Sequence, residues 1–235
     1  MVDVFWGPGF LVVGAVYAGL GAGYAGRKAL LLCLVAAWSL RLAVHIYTRN
    51  RGRGEDYRYW QWRARSGASF WWKSFFRVFM MQAILLWLIS SPLLAAQRAA
   101  TPARIAMWDI LGTLVWAVGF VFEAVGDWQL ARFKLDPANK GQVMSRGLWA
   151  YTRHPNYFGE ATMWWGYFLI AVGTPGGFWS VLGPAIMTFL LLRVSGVTLL
   201  EKGLTQTKPG YKEYAERTSA FLPWFPRKGK VNRPG

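Results

Sequence analysis

The stretch YTRHPNYFGE at residues 151–160 collects arginine, histidine, asparagine and glutamate directly before a long apolar run. Its asparagine, Asn156, and its glutamate, Glu160, are four residues apart, and two further polar pairs in the chain repeat this spacing. Residues four apart share one face of a helix, so each pair presents its polar groups side by side. The spacing therefore predicts the wall of a polar cavity. Its residues are Arg41 and His45, Glu123 and Asp127, Asn156 and Glu160, and Arg193.

The same charges have a simpler interpretation, in which each one serves structure alone. A charged side chain near a helix end can extend to the membrane surface, and a single Arg41–Glu123 ion pair would hold two helices together. For any one residue both interpretations stay open. For the whole set a shared cavity is favoured, because ionisable groups in a membrane usually face a cavity or a partner. Asp109, at the opposite end of its apolar segment, is predicted to be interfacial.

Apolar helices must position these groups, because the composition is that of a membrane protein. Of 235 residues, 54% are hydrophobic and 17% aromatic, and mean hydropathy is +0.21. Long apolar segments without alternation predict an all-α polytopic transmembrane bundle of about six to seven helices, with ordered cytoplasmic loops over the polar cavity. One domain is expected over 1–228, with a flexible tail at 229–235. The segments are 4–26, 29–48, 70–96, 105–126, 160–174 and 178–200.

The net charge of +16 is distributed as a membrane topology rather than as a nucleic-acid surface. Residues 49–69 hold six Lys and Arg, 127–159 hold five and the tail from 201 holds eight, whereas the intervening turns hold four. Loops rich in Lys and Arg alternate with loops that contain few of them, as the positive-inside rule requires for six crossings. This alternation predicts that both termini are cytoplasmic. The excess charge is then explained by topology and anionic lipids. Membrane lipids are expected partners and nucleic acid is not.

The loop at 127–159 is predicted to be an ordered ligand-binding element, because its PAN and KG turn signals interrupt a basic and aromatic segment. Its Lys134, Lys140, Arg146 and Arg153 are suited to phosphates, and Trp149 or Tyr151 to a planar ring. An interfacial belt that contacts lipid headgroups is the alternative for any one of them.

The motifs of soluble nucleotide and metal enzymes are absent from the sequence. It contains no GxGxxG after a strand, no Walker loop and no HExxH. Two histidines and one cysteine, Cys33, are too few for a histidine-rich or cysteine-based metal site. No metal is expected.

Several ordered runs of this chain resemble the bacterial branch of the steroid 5-alpha-reductase-like membrane family. They are GEDYRYWQWR (54–63), FEAVGDWQLARFK (122–134), GLWAYTRHPNYFGEATMWWGYFL (147–169), LLEKGL (199–204) and PGYKEYAERTSAFLPWFP (209–226). The resemblance covers nearly the whole chain. It implies an integral membrane protein, expected in a bacterial inner membrane, that binds NADPH from the cytoplasm and reduces a carbon–carbon double bond conjugated to a ketone. The expected substrate is a lipophilic enone, foremost the delta-4 bond of a 3-oxo-4-ene steroid.

The resemblance also implies roles for individual residues. Steroid reductases contact the cofactor through an NxxxE pair, which matches Asn156 and Glu160, and through a second pair that ends in aspartate, which matches Glu123 and Asp127. Asparagine stands in place of Glu123 in the animal enzymes. The other implied cofactor contacts are Lys134, Tyr151, Arg153, His154, Arg193 and Glu201. Arg153 and His154 are expected either to contact phosphate or to form structural bonds within the loop.

The catalytic hydrogen-bond donor matches the family less closely. Animal steroid reductases use an acidic residue near a cytoplasmic helix start, for which Asp3 is the counterpart, and a tyrosine of the next helix. His45 and Tyr47 are the proton donors available there. A donor at the ketone oxygen would stabilise the negative charge that develops as hydride arrives at the beta carbon. Asp3 can donate only if burial keeps it protonated; otherwise it orients one of the other two.

A shorter RHPxYxG pattern also occurs in isoprenylcysteine carboxyl methyltransferases and related phospholipid methyltransferases. That resemblance implies the same cavity with S-adenosylmethionine in it. The tail of those enzymes usually carries paired glutamates, whereas this chain has Glu201 followed by a lysine. The departure favours the reductase. The methyltransferase stays the alternative, beside a non-enzymatic membrane protein whose loop only packs on headgroups.

Overall fold

The structure, a computed structural model, describes residues 2–52, 57–194 and 196–227. Within these ranges the chain is helical and forms no strand; a single parallel bridge joins Thr152 to Ser219. The prediction of an all-α polytopic helical bundle is confirmed. The helices are α1 (Trp6–Leu20), α2 (Ala25–Asn50), α3 (Tyr57–Ser66), α4 (Phe70–Ser74), α5 (Met81–Ile89), α6 (Ser91–Arg98), α7 (Met107–Leu135), α8 (Pro155–Val172), α9 (Leu182–Phe189), α10 (Val197–Thr207) and α11 (Tyr211–Arg217).

Four helical stretches in the described ranges are long and apolar enough to cross a membrane, by length and composition. A fifth apolar helix, Trp6–Leu20, has 15 residues, which is shorter than the roughly 20 needed for a straight crossing. The chain is therefore an integral membrane protein. The four stretches are Ala25–Asn50, Trp60–Ile89, Met107–Leu135 and Gly177–Val194.

Three helices extend further into polar sequence than the predicted segments. Helical structure leads into α4 from Tyr57 instead of starting at 70, α7 runs to Leu135 instead of 126, and α8 starts at Pro155 instead of 160. Hydropathy detects only the part of a helix that suits hydrocarbon, whereas the backbone continues as a helix until proline or a turn interrupts it. The extensions matter because they carry Asp127, Lys134 and Asn156.

The chain divides into two compact units, Met1–Asp109 with Ile170–Gly183, and Ile110–Leu169 with Pro184–Gly235. In the first unit α1 packs on α2. Phe10 meets Trp38 with ring centroids 5.7 Å apart, and both side chains are fully buried. A methyl group on Gly7 would lie 3.0 Å from the Ser39 carbonyl oxygen, so the backbones approach closely at this level.

A buried ion pair fastens the other end of the first unit. Arg27 on α2 donates from Nε to Asp109 Oδ1 at 2.8 Å, and both residues are almost inaccessible to solvent. The same guanidinium reaches the carbonyl oxygen of Pro102 at 3.0 Å, and the Asp109 carboxylate accepts from the Ala106 amide at 2.8 Å. Asp109 is thus buried against a cation in the first turn of α7, and its interfacial depth in the membrane stays a prediction.

In the second unit a seam of glycines lets α7 and α8 pack in antiparallel contact. Methyl groups on Gly119 and Gly159 would each lie within 2.6 Å of backbone oxygen on the facing helix. Gly166 makes the same close approach to the Gly112 carbonyl. The three α7 glycines at 112, 119 and 126, and two α8 glycines at 159 and 166, are each seven residues apart, so they align along one face of their helices.

Candidate functional site

The polar ends of α7 and α8 face each other in the second unit. Asn156 lies in the first turn of α8, and its Nδ2 donates to Oδ1 of Asp127 on α7 at 3.2 Å. Asp127 is 6% exposed and Asn156 is half-buried. The contact joins two residues that the sequence predicted to share a cavity, from two different polar pairs.

The glycine seam places the second members of both pairs at one level, one turn away from this contact. A methyl group on Gly159 would lie 2.5 Å from the Glu123 backbone nitrogen, so Glu160, the next residue, lies at the height of Glu123. Glu123 is buried, at 3% exposed, and Glu160 is half-buried. Three acidic residues and one amide therefore occupy two consecutive turns of this helix pair. Such a group can accept hydrogen bonds from ribose hydroxyls or bind a carboxamide.

The loop between α7 and α8 is held to α7 by two side-chain hydrogen bonds, one from a side chain of each element. Gln129 accepts a hydrogen bond from the Leu148 amide at 3.1 Å, and Trp149 donates from Nε1 to the Gly126 carbonyl at 3.1 Å. Gly147 adopts a φ of +61°, and a methyl group there would lie 2.4 Å from the Gln129 side chain, so only glycine fits. The loop is ordered, as its turn signals predicted.

Arg153 and His154 converge on one carboxylate of α10. Glu201 Oε1 lies 2.9 Å from Arg153 Nε and 3.1 Å from His154 Nε2. The arginine contact is an ion pair whose N–H is poorly aligned, since the buried Nε makes no hydrogen bond among the described residues. Arg153 also donates from Nη1 to the Ala215 carbonyl at 2.7 Å. These are structural bonds within the loop region, one of the two roles expected for Arg153 and His154.

The electrostatics of His154 are dominated by burial. Desolvation lowers the pKa of His154 below the ordinary 6.5, against the opposing effect of Glu201. The neutral ring stacks on Tyr157 with centroids 5.5 Å apart, and its Nε2–H can donate to the Glu201 carboxylate. Beside this cluster, burial raises the pKa of Tyr211 to about 12, and its hydroxyl has no hydrogen-bond partner in the described part of the chain.

The segment after α11, called the strap below, binds the loop between α7 and α8 through residues 221–224. Thr152 donates to the Phe221 carbonyl at 2.8 Å, and the Trp224 amide donates to the Tyr151 carbonyl at 2.9 Å. Tyr214 of α11 adds a hydrogen bond from its hydroxyl to the Trp149 carbonyl at 2.6 Å. Two regions about seventy residues apart in sequence thus define the backbone path into α8.

The remaining cofactor predictions fall on exposed positions of the second unit. Lys134 lies in the last turn of α7, and Arg193 lies in a π-helical turn, Leu190–Val194. Tyr151 is 42% exposed and makes an edge contact with Phe225 at 6.0 Å. These three residues do not belong to the Asp127–Asn156 contact or to the Glu201 cluster in the interactions described above, and their cofactor roles stay predictions.

The proposed hydrogen-bond donors belong to the first unit. Asp3 lies in a 3-10 turn, Val2–Phe5, that packs against α2, and its side chain is outside the described part of the structure. His45 is half-buried on α2, whereas Tyr47 is 57% exposed. Because residues two apart point to different faces of a helix, the side chains of His45 and Tyr47 lie on different faces of α2. No metal-binding group of three or more side chains occurs in the described ranges.

Of the features of the second unit that the sequence analysis missed, one has a signal in the sequence and the others have none. The glycine seam was missed, although its signal is present as glycines at intervals of seven in two successive apolar segments. The Glu201 cluster and the strap had no such signal, because they depend on contacts between residues 47 to 73 positions apart.

A family model described as a protein of unknown function, DUF1295, matches residues 1–218. The chain belongs to this family. The membership agrees with the resemblance at the level of a steroid 5-alpha-reductase-like family in general, and it does not single out a bacterial steroid reductase. No solved structure matches the chain.

Two curated proteins are similar to the DUF1295 chain. The uncharacterised protein C594.04c of Schizosaccharomyces pombe is 25% identical over 234 residues, covering 88% of this chain and 67% of that protein. A probable O-methyltransferase, ustE of Ustilaginoidea virens, is 34% identical over 73 residues, which is 31% of this chain and 26% of that protein. Together these matches support a membrane protein that is steroid-reductase-like or methyltransferase-like.

Proposed function

We propose that this DUF1295 protein is an NADPH-dependent membrane reductase of lipophilic enones, foremost of 3-oxo-4-ene steroids. The observation that carries the proposal is the hydrogen bond between Asn156 and Asp127, with Glu123 and Glu160 one turn away. A buried set of acceptors with one amide suits the ribose and carboxamide of a nicotinamide nucleotide. When bound, NADPH would supply the hydride that goes to the beta carbon of the enone.

The protein's own contribution to this reaction is binding, orientation and one hydrogen bond. Asn156 and the three carboxylates would orient the nucleotide, and exposed Lys134 and Arg193 would meet its phosphates. In the first unit Asp3, His45 or Tyr47 would donate to the ketone oxygen, where negative charge develops. The membrane would deliver the substrate, since a lipophilic enone partitions into the bilayer. The bacterial inner membrane and cytoplasmic termini belong to the same proposal.

An S-adenosylmethionine-dependent methyltransferase is the second candidate. The partial similarity to the probable O-methyltransferase favours it, although it covers 31% of this chain. The ribose and amino-acid parts of S-adenosylmethionine would need the same kind of acceptors that Asp127 and Glu123 offer. The two candidates therefore differ in the ligand and in the acceptor, a ketone-conjugated double bond or a carboxylate or amine.

The proposal is tested by ligand binding and turnover with one protein preparation. NADPH and S-adenosylmethionine are titrated separately against purified protein, and NADPH oxidation is followed with progesterone as the enone. NADPH binding with steroid-dependent oxidation supports the reductase. Binding of S-adenosylmethionine without NADPH binding overturns it in favour of methyl transfer, and absence of both kinds of binding refutes both candidates.

Variants connect the result to the observed contact. Asn156→Leu removes the amide that donates to Asp127, and nucleotide affinity is expected to fall about tenfold or more because the amide no longer orients the buried carboxylate or reaches the ligand. Gln206→Leu, at an exposed position of α10, is the matched control and should leave affinity unchanged. Equal affinities of the two variants would remove Asn156 from the binding site.

A further inference from the structure

A groove of about 350 Å³ lies at the end of α7, apart from the Asp127–Asn156 contact. Its walls come from the last turns of α7 and from the loop that follows. Aromatic and aliphatic surface from Trp128, Phe133 and Met144 forms one part of the lining, and two arginines, Arg132 and Arg146, form another. The groove therefore combines apolar walls with a concentration of positive charge.

The two arginines of this groove are available to a ligand. Arg132 lies over the Trp128 ring, 5.7 Å from its centroid, which holds the guanidinium in place through a cation–π contact. Neither arginine makes a hydrogen bond or an ion pair with any residue that the structure describes. Both side chains are exposed. Guanidinium groups in this state are suited to bidentate binding of a phosphate.

The other polar side chains of the groove are already engaged. Gln129 accepts from the Leu148 amide, and Asp136 accepts from the Ala138 amide at 2.9 Å. Asn139 donates to the Phe133 carbonyl at 3.0 Å. The Asp136 carboxylate is the one negative group in the lining, and it is turned to its own loop backbone. Each of these three side chains thus has a bond to nearby backbone, whereas the two guanidinium groups have none in the described ranges.

The position of the groove on α7 points to a lipid as the source of the phosphate. Exposed large apolar residues recur every seven positions along this helix and define its outward row. Trp128 continues the row and Arg132 follows it by one turn, on the same face. The row consists of Met107, Leu114, Val121, Trp128 and Leu135, which are 55% to 82% exposed.

A helix that crosses a membrane turns such a row toward the acyl chains, and a tryptophan followed by arginine marks the level of the headgroups. We propose that Trp128, Arg132 and Arg146 form a binding site for the phosphate of an anionic phospholipid headgroup, with the acyl chains along the outward row of α7. A soluble nucleotide would match the arginines but not the apolar row that leads into the groove. The site is independent of the proposed reductase activity, because none of its residues belongs to the Asp127–Asn156 contact.

Lipid competition in native mass spectrometry tests this site on the full chain. Detergent-purified protein is exposed to phosphatidylglycerol and phosphatidylcholine in equal amounts, and the ratio of the two bound lipids is measured. The double variant Arg132→Gln with Arg146→Gln is expected to reduce phosphatidylglycerol retention by about tenfold or more, because two charge-assisted contacts are lost. Trp128→Leu should reduce it at unchanged net charge, since the indole no longer holds Arg132.

A control with the same change in net charge separates the site from general attraction. Arg98→Gln with Lys212→Gln removes two exposed cations elsewhere and should leave the ratio as in the unaltered protein. Equal loss in both double variants would overturn the proposal, as would retention in both. Displacement of the lipid by NADPH or inorganic phosphate, with the groove variants losing the nucleotide, would assign the groove to a soluble phosphate instead and also refute it.

Discussion

Replacing Gly159 by alanine tests whether the glycine seam positions the candidate site. The added methyl group would lie 2.5 Å from the Glu123 nitrogen and from the Gly119 carbonyl oxygen, whereas ordinary contacts begin at 3.4 Å. Because both neighbours are backbone atoms of a helix, no side chain can rotate away. The two helices must separate by about 1 Å, and such overpacking typically costs about 1 to 3 kcal/mol.

Gly203→Ala supplies the matched control for this change. Gly203 is also within a helix, α10, and a methyl group there meets nothing within 4 Å. The gain in helix propensity from glycine to alanine is common to both variants, so it cancels in their difference. Thermal unfolding of purified protein should place Gly159→Ala below Gly203→Ala by about 2 to 12 °C, at about 2 to 4 °C for each kcal/mol in a chain of this size.

The same substitution has a consequence for binding. Separating α8 from α7 by about 1 Å would stretch the 3.2 Å contact between Asn156 and Asp127 beyond hydrogen-bond length. We expect nucleotide affinity to fall in Gly159→Ala even at a temperature where the variant remains folded. If Gly159→Ala has the same melting temperature and the same nucleotide affinity as Gly203→Ala, the close approach of the two helices and its role at the site are both refuted.

Three further predictions concern other contacts. Asp109→Asn leaves Arg27 charged and buried, which should destabilise the protein by about 3 to 5 kcal/mol in thermal unfolding; unchanged stability would show that the pair is not desolvated. Burial lowers the pKa of His154 in the folded state, so as pH falls the imidazole becomes protonated in the unfolded chain before it does in the folded protein. The free energy of unfolding should therefore decrease as pH falls below about 6.5, by at most about 1.4 kcal/mol per pH unit. That dependence should be weaker in His154→Gln; identical pH profiles would contradict it. Thr152→Val removes the hydrogen bond to Phe221 and should accelerate proteolysis of the segment after α11, with little change in the melting temperature of the protein. Equal cleavage rates in the variant and the unaltered chain would mean that this bond does not hold the segment.

Sequence patterns predicted the class of fold and the grouping of one set of residues. Apolar length specifies membrane helices, because the hydrocarbon layer imposes it. The spacing of four singled out the polar pairs that contain Asp127 and Asn156, which face each other in the structure. The helix ends were predicted less well, since helical structure continues past the apolar part. The buried ion pair of Asp109 was missed as well, because its partner Arg27 is 82 positions away and leaves no local pattern.

The loop between α7 and α8 shows why the role of a single basic residue is hard to predict from the sequence. Arg153 and Arg146 are both basic residues of the same loop, and the sequence treats them alike. In the structure Arg153 binds Glu201 and the Ala215 carbonyl, whereas Arg146 lines an open groove. The difference arises from where α10 and α11 return to the loop, which is a tertiary property.

Two repeats of seven share α7, the glycines that face α8 and the bulky residues that face outward. A single inserted residue would rotate the part of α7 that follows it by about 100° about the helix axis. Larger side chains would then take the place of the glycines that face α8. Only insertions or deletions of whole repeats, each about 10 Å long, would keep both faces in place. Relatives adapted to thicker or thinner bilayers therefore cannot adjust this helix residue by residue. They must tilt it, or change its length beyond the last glycine.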